Sequence, residues 1–145
     1  MENYRPIMNP SFQQVYSELA EEHRELMSLV ERIRAHGEVV GLGPLLEQLH
    51  ALLIRHFSHE QFPGGLYDCM GAHDARYHDE LKTLIEEHCT ILSSVRGLLE
   101  LTRIGRESDV ATLLDEVSQV LQRLDEHEHR EHALADRLMA SERVP

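Results

Sequence analysis

Residues 45–60 read LLEQLHALLIRHFSHE, and this stretch is the most informative segment for the fold. Its leucines recur at intervals of three or four residues, which is the spacing of one face of an α-helix. His56 and Glu60 lie one turn apart on that same face, because an α-helix has about 3.6 residues per turn. The stretch therefore predicts an amphipathic helix whose buried face ends in two polar side chains.

Three further blocks of the chain have the same helical spacing of apolar residues. They run from Pro10 to Gly37, from about Asp74 to Gly105, and from Ser108 towards the carboxyl end. The period-two alternation typical of strands is absent over any useful length. Four amphipathic helices joined by short connections predict an all-α fold, an up-down-up-down four-helix bundle.

Composition excludes several classes of function. The chain has 145 residues, with 26 acidic against 14 Lys and Arg side chains and a formal net charge of −12. Such a charge argues against a nucleic-acid partner and against docking on an anionic membrane. Two cysteines without a C-x-x-C motif exclude a disulfide framework and a zinc–thiolate site. We expect a cytoplasmic monomer or homodimer, with residues 1–10 as an N-terminal arm and 11–145 as the domain.

Each predicted helix carries one histidine inside its apolar stripe, and two helices add a glutamate one turn later. The histidines are His23, His56, His88 and His127, and the glutamates are Glu60 and Glu131. Counting from the predicted turns places the histidines of each hairpin at one level to within about a turn. His56 and His88, one from each hairpin, lie at the same level if the second helix continues past Pro63 to a hinge near residue 72.

Burying these six polar groups in a leucine core requires a partner of opposite charge. An unpaired carboxylate would cost several kcal/mol or would become protonated. No Lys or Arg lies on the apolar stripes, so a metal is the simplest neutralising group. Imidazole nitrogen and carboxylate oxygen suit iron, manganese or zinc, and two bridging carboxylates suit a pair of ions.

An internal repeat supports a symmetric pair of ions. Residues 21–23 read EEH and are followed by His56-x-x-x-Glu60, and residues 86–88 again read EEH and are followed by His127-x-x-x-Glu131. Two similar hairpins related by a pseudo-two-fold axis would each supply the same ligands to one metal. Glu60 and Glu131 would then bridge the two ions.

From about residue 11 to 140 the sequence resembles the hemerythrin-like (HHE cation-binding) family. The motifs are His23, HFSHE at 56–60, His88 and HEHRE at 127–131. The resemblance implies a non-haem di-iron centre with an oxo or hydroxo bridge. Members of the family bind O2, react with peroxide or nitric oxide, sense iron or oxygen, or help to repair iron centres. We therefore expect a small diatomic or peroxide ligand.

The third helix departs from the oxygen-carrying hemerythrins, which place two histidines one turn apart there. Leu84 and Leu92 occupy the corresponding positions around His88, and the fourth helix carries Glu131 where the carriers have Asp. The pattern is thus a symmetric version with four histidines and two glutamates. Reversible O2 carriage is not the activity that we expect from it.

Several alternatives stay open at this stage. The centre could serve an enzyme that decomposes peroxide or reduces nitric oxide, or the chain could be a metal-free helical interaction module. His59 lies about 60° from the face of His56 and is a reserve ligand, whereas His129 and His132 lie off the stripe and are expected in solvent. The E-x-x-H motifs at 47–50 and 126–129 match ferritin-like bundles, but their glutamates also lie off the stripes.

Overall fold

The computed structural model describes residues 12–61, 65–68, 75–104 and 110–142. Within these ranges the long elements are four helices: α1 (Phe12–His36), α2 (Leu42–Gln61), α3 (His78–Ile104) and α4 (Val110–Glu142). A 3₁₀ turn at Ala75–Tyr77 precedes α3, and residues 66–68 form a short helical segment. These ranges contain no strand. The prediction of an all-α four-helix fold is confirmed.

The connection between α1 and α2 is a tight turn that depends on two glycines. Gly37 (φ 65°) and Gly41 (φ 81°) both adopt left-handed backbone conformations, which glycine reaches without the steric penalty of a Cβ atom. The Leu42 amide then donates a hydrogen bond to the Val39 carbonyl at 3.0 Å. Because the turn is short, α2 folds directly back against α1.

Two apolar clusters fill the bundle. The larger contains the following buried side chains: Leu26, Leu29, Val30, Ile33, Leu42, Leu46, Leu49, Leu53, Phe57, Ile91, Val95, Leu98, Leu113, Val117, Val120, Leu121 and Leu124. The smaller contains Val15, Leu19, Leu66, Tyr67, Leu81, Leu84, Leu134, Ala135 and Leu138. Burial of this apolar surface supplies the main stabilisation of the fold.

The helices pass these clusters in alternating order. Along α1 and α3 the chain meets the smaller cluster first, whereas along α4 it meets the larger cluster first. The closest packing joins α1 to α2, α2 to α3 and α3 to α4, and α1 also contacts α4. These contacts are the ones expected of the up-down-up-down order.

The connection after α2 differs from the expectation of a helix that continues past Pro63. The helix ends at Gln61, and Gly65 lies in a bend before the helical segment at 66–68. Proline lacks an amide hydrogen and disfavours a continuing helix, which accounts for the interruption. The expected hinge near residue 72, the arm at 1–10 and the expected start of the fourth helix at Ser108 lie outside the described residues. Among the described helices, none is long and apolar enough to cross a membrane.

Candidate metal centre

A layer of polar side chains separates the two apolar clusters. Five of the six predicted ligands are buried in it, each at most 2% exposed: His56, Glu60, His88, His127 and Glu131. His23 lies at the edge of the layer, with its side chain 22% exposed. We refer to His23 and His56 as the first pair and to His88 and His127 as the second pair. Their ring centroids are 6.2 Å and 4.8 Å apart, respectively.

Glutamates on neighbouring helices orient one histidine of each pair. Nδ1 of His56 lies 2.9 Å from Oε1 of Glu22, and Nδ1 of His127 lies 2.8 Å from Oε1 of Glu87. An ionised carboxylate can only accept a hydrogen bond, so each Nδ1 carries the hydrogen. In the neutral rings Nε2 therefore presents a lone pair to the interior. Carboxylates commonly orient metal-ligating histidines in this way.

His88 of the second pair is held by an amide and by an aromatic ring. Its Nδ1 donates to Oε1 of Gln61 at 2.6 Å, and its ring stacks on Phe57 at a centroid distance of 3.7 Å and an angle of 8°. Its Nε2 thus also presents a lone pair to the layer. Burial, with the positive charge of His127 and His56 as smaller causes, lowers the pKa of His88 to about 2. The imidazole is neutral and able to bind a metal at physiological pH.

Glu60 spans the two pairs. Its Oε2 lies 3.0 Å from Nε2 of His56, and its Oε1 lies 3.1 Å from Nε2 of His88. Within the described residues, Nε2 of His56 and Oε2 of Glu60 are buried without a hydrogen-bond partner. Two acceptors at this separation need either a proton or a metal ion between them.

Glu131 occupies the equivalent position on α4 and is bound by a tyrosine. The Tyr67 hydroxyl donates to Oε2 of Glu131 at 2.5 Å and lies 3.0 Å from Nε2 of His88. Oε2 of Glu131 lies 3.8 Å from Nε2 of His127. Tyr67 comes from the short segment after α2, where no helical periodicity could assign it to the interior.

Burial changes the protonation of the central carboxyl groups. It raises the pKa of both Glu60 and Glu131 well above the usual range, and the negative charge of Glu128 raises each further. The negative charge of Glu60 also raises the pKa of Glu131. Burial likewise raises the pKa of the Tyr67 hydroxyl, with Glu131 as the next cause. Without a metal, protons therefore compensate the charge that the layer would otherwise carry.

A third carboxylate, Glu128, lies in the layer and was not predicted. It is 4% exposed, and its Oε2 lies 3.2 Å from Nδ1 of His23. Burial raises its pKa, but the nearby His23, His56 and His127 outweigh this effect, so the pKa lies below its usual value. The only sequence signal was its position directly after His127.

His132 also departs from the expectation of a solvated side chain. It is partly buried, and its ring centroid lies 4.5 Å from that of His23. His59 is exposed, and its Nδ1 contacts Oε2 of Glu22 rather than the layer. His129 is exposed, as expected, and so are the glutamates of the two E-x-x-H motifs, Glu47 and Glu126.

Three groups of side chains place possible ligand atoms within 4.8 Å of one another. They are Glu60, His88, His127 and Glu131; His56, Glu60, Glu128 and Glu131; and His23, Glu128 and His132. Glu60 and Glu131 belong to both of the buried four-residue groups. Each group could therefore hold a metal ion. His23 belongs to neither of the buried four-residue groups and lies against Glu128 instead.

A cavity of about 280 Å³ opens beside the first pair. Its lining includes the polar side chains Tyr16, His23, His56, Glu60, Glu131 and His132, with Leu19, Ala20 and Leu66 among its apolar walls. The second pair does not line it. Burial, together with the charges of Asp136 and Glu131, raises the pKa of Tyr16 to about 12, so its hydroxyl is a hydrogen-bond donor at this wall.

Comparison with known proteins identified no protein similar to this chain. No family model matches the chain, and neither a curated protein nor a solved structure matches it. The buried His and Glu side chains define the class as a four-helix protein with groups that can hold a metal ion.

Proposed function

We propose that this protein is a hemerythrin-like, non-haem di-iron protein that binds or reacts with a small oxidant such as O2, peroxide or nitric oxide. His23 and His56 would serve one iron, and His88 and His127 the other. Glu60 and Glu131 would bridge the two ions, alongside an oxo or hydroxo bridge. Its role would be in sensing, stress response or iron handling.

One observation carries the proposal. The lone pairs of three buried histidines converge on the central carboxylates, and two of these nitrogens, Nε2 of His56 and Nε2 of His127, have no described hydrogen-bond partner. A buried polar network ordinarily satisfies its members. The ion pairs described for Glu60 and Glu131 are all with histidine, never with Lys or Arg. A cation between these atoms would satisfy nitrogen and oxygen together.

The surrounding residues suit chemistry on a small molecule. Iron in such a site supplies one-electron redox chemistry and coordination positions open to small oxidants. The cavity lets a small molecule reach the first pair, while its apolar walls limit access of water. The Tyr67 hydroxyl holds a proton at Oε2 of Glu131. Zinc or manganese fits the same donor types, so the choice of iron rests on the resemblance of the motifs.

Metal analysis of protein from iron-supplemented cells tests the proposal. We expect about two irons per chain and ultraviolet absorption from oxo-to-iron charge transfer. His88→Ala should lower the iron content, whereas His129→Ala, an exposed histidine on α4, should leave it unchanged. Protein without metal whose melting temperature is insensitive to chelation would instead support the helical interaction module.

The open cavity also favours a second candidate, a di-iron enzyme that decomposes peroxide or reduces nitric oxide. An enzyme must admit substrate and release product repeatedly, and the first pair has a route for both. Sustained O2 evolution from peroxide, or N2O from nitric oxide, would support the enzyme. A reaction that stops after one equivalent would support a sensor or binding protein.

A further inference from the structure

The internal repeat makes the residues after His56 and His127 equivalent, yet they differ completely. Phe57 follows His56 and stacks on His88 at 3.7 Å. Glu128 follows His127 and lies 3.2 Å from Nδ1 of His23. A carboxylate therefore faces the first pair at the position where an aromatic ring covers the second pair.

Glu128 lacks the partners that a buried carboxylate normally has. Both of its oxygens are buried without hydrogen-bond partners among the described residues. The ion pairs described for it are with His23 and His56, the latter at 3.7 Å from Nε2, and neither is with Lys or Arg. A histidine carries a positive charge only when it is protonated, so beside neutral rings this buried carboxylate needs a cation as its partner.

The neighbouring donors define where such a cation would lie. Glu128 offers an oxygen within 4.8 Å of ligand atoms of His56, Glu60 and Glu131. In the other buried group, which also contains Glu60 and Glu131, both nitrogen ligands come from the second pair, His88 and His127. Glu128 thus occupies, beside His56, the place that a second histidine holds around the other position.

We propose that Glu128 is a further metal ligand that serves the position of the first pair alone, so the two ions of the centre are not equivalent. The inference rests on the proposed function, because it requires a dinuclear centre. The position next to Glu128 has one more anionic ligand than the position between His88 and His127. It binds a divalent cation more tightly and fills first.

Zinc titration of metal-free protein against a chromogenic chelator tests this order. For the unaltered chain we expect two zinc ions that bind with distinct affinities. Glu128→Gln keeps the size of the side chain and should weaken the tighter step by more than about tenfold, while the weaker step changes little. Glu126→Gln is the matched control, because Glu126 is exposed on the same helix, and it should preserve both steps.

A second variant separates ligation from folding. Glu128→Asp keeps the charge but withdraws the carboxylate by one methylene, so it should also weaken the tighter step. Far-ultraviolet circular dichroism of each metal-free variant checks the helical fold. If Glu128→Gln fails to fold, a Glu128→Asp variant that folds and binds as the unaltered chain does would overturn the inference.

The outcomes distinguish this inference from the function on which it rests. An unaltered chain that binds no zinc and no iron would contradict the proposed function itself. Two zinc ions bound by the unaltered chain, with the same two affinities in a folded Glu128→Gln, would overturn only the role of Glu128. The carboxylate would then act through its contact with His23 and not through a metal.

Discussion

The two histidine pairs come from the same sequence template but lie in different surroundings. The second pair is sealed: both rings are at most 1% exposed, Phe57 stacks on His88, and the Tyr67 hydroxyl contacts its Nε2. The first pair borders an open cavity and faces Glu128. The repeat thus explains the residue types, whereas the departures from symmetry decide which pair borders the cavity.

The largest expected effect comes from removing a carboxylate that both pairs share. Glu60 has one oxygen near His56 and the other near His88, so Glu60→Ala should weaken binding of both metals by more than about 100-fold. Metal content after dialysis measures the effect. Glu47→Ala is the control, because Glu47 is exposed. Lost metal in Glu47→Ala, with Glu60→Ala unaffected, would favour the ferritin-like E-x-x-H pattern.

A smaller effect, confined to one pair, is expected from the glutamates that orient the histidines. Glu22→Gln should weaken the metal at the first pair by about 10- to 100-fold, and Glu87→Gln the metal at the second pair. The reason is that each carboxylate accepts the Nδ1 hydrogen bond of its histidine. Zinc titration resolves the two steps.

The matched controls for these variants are the neighbouring glutamates. Glu21 and Glu86 are exposed and lie one residue before the orienting glutamates, so Glu21→Gln and Glu86→Gln should leave both affinities unchanged. Equal losses at both steps in Glu22→Gln would argue that the two pairs are not separate sites.

The smallest expected effect is a dependence of metal affinity on pH. Burial raises the pKa of Glu60 and Glu131. Metal-free protein therefore keeps protons on these two carboxyl groups at pH values above the usual pKa range of a carboxyl group. Metal binding must displace these protons, so the apparent affinity should rise with pH, by about tenfold per pH unit for each proton released. His88 contributes none, since its lowered pKa leaves it neutral.

Calorimetric titration in two buffers with different ionisation enthalpies measures this proton release. The observed heat should differ between buffers in the unaltered chain and differ less in Glu131→Ala, which lacks one of the protonated carboxyls. A heat independent of the buffer would show that Glu60 and Glu131 are already ionised before the metal binds.

Much of the bundle could be predicted because helical periodicity is a local property. The spacing of leucines around His56 and His88 indicated both the helices and the inward direction of these histidines, and both are buried. The segment after α2 could not be predicted in this way. Tyr67 reaches the layer from outside the regular helices, and its position depends on how the chain leaves Gln61.

Glu128 and His132 could not be assigned from periodicity either. Both lie beside a stripe rather than on it, and such positions face solvent or a neighbouring helix depending on how the helices pack. Here α1 approaches α4 closely enough for His23 to contact both side chains. The expectation that His132 is solvated was wrong because it treated each helix alone.

The order of residues along the chain by itself determined four amphipathic helices and the polar positions on their inner faces, because turns of a helix repeat at a constant interval. Only the packed bundle decided that Tyr67, Glu128 and His132 join those positions, and that a cavity opens beside the first pair. These features depend on the distances between helices. Those distances are set jointly by side chains that are far apart in the chain and that pack together to exclude water.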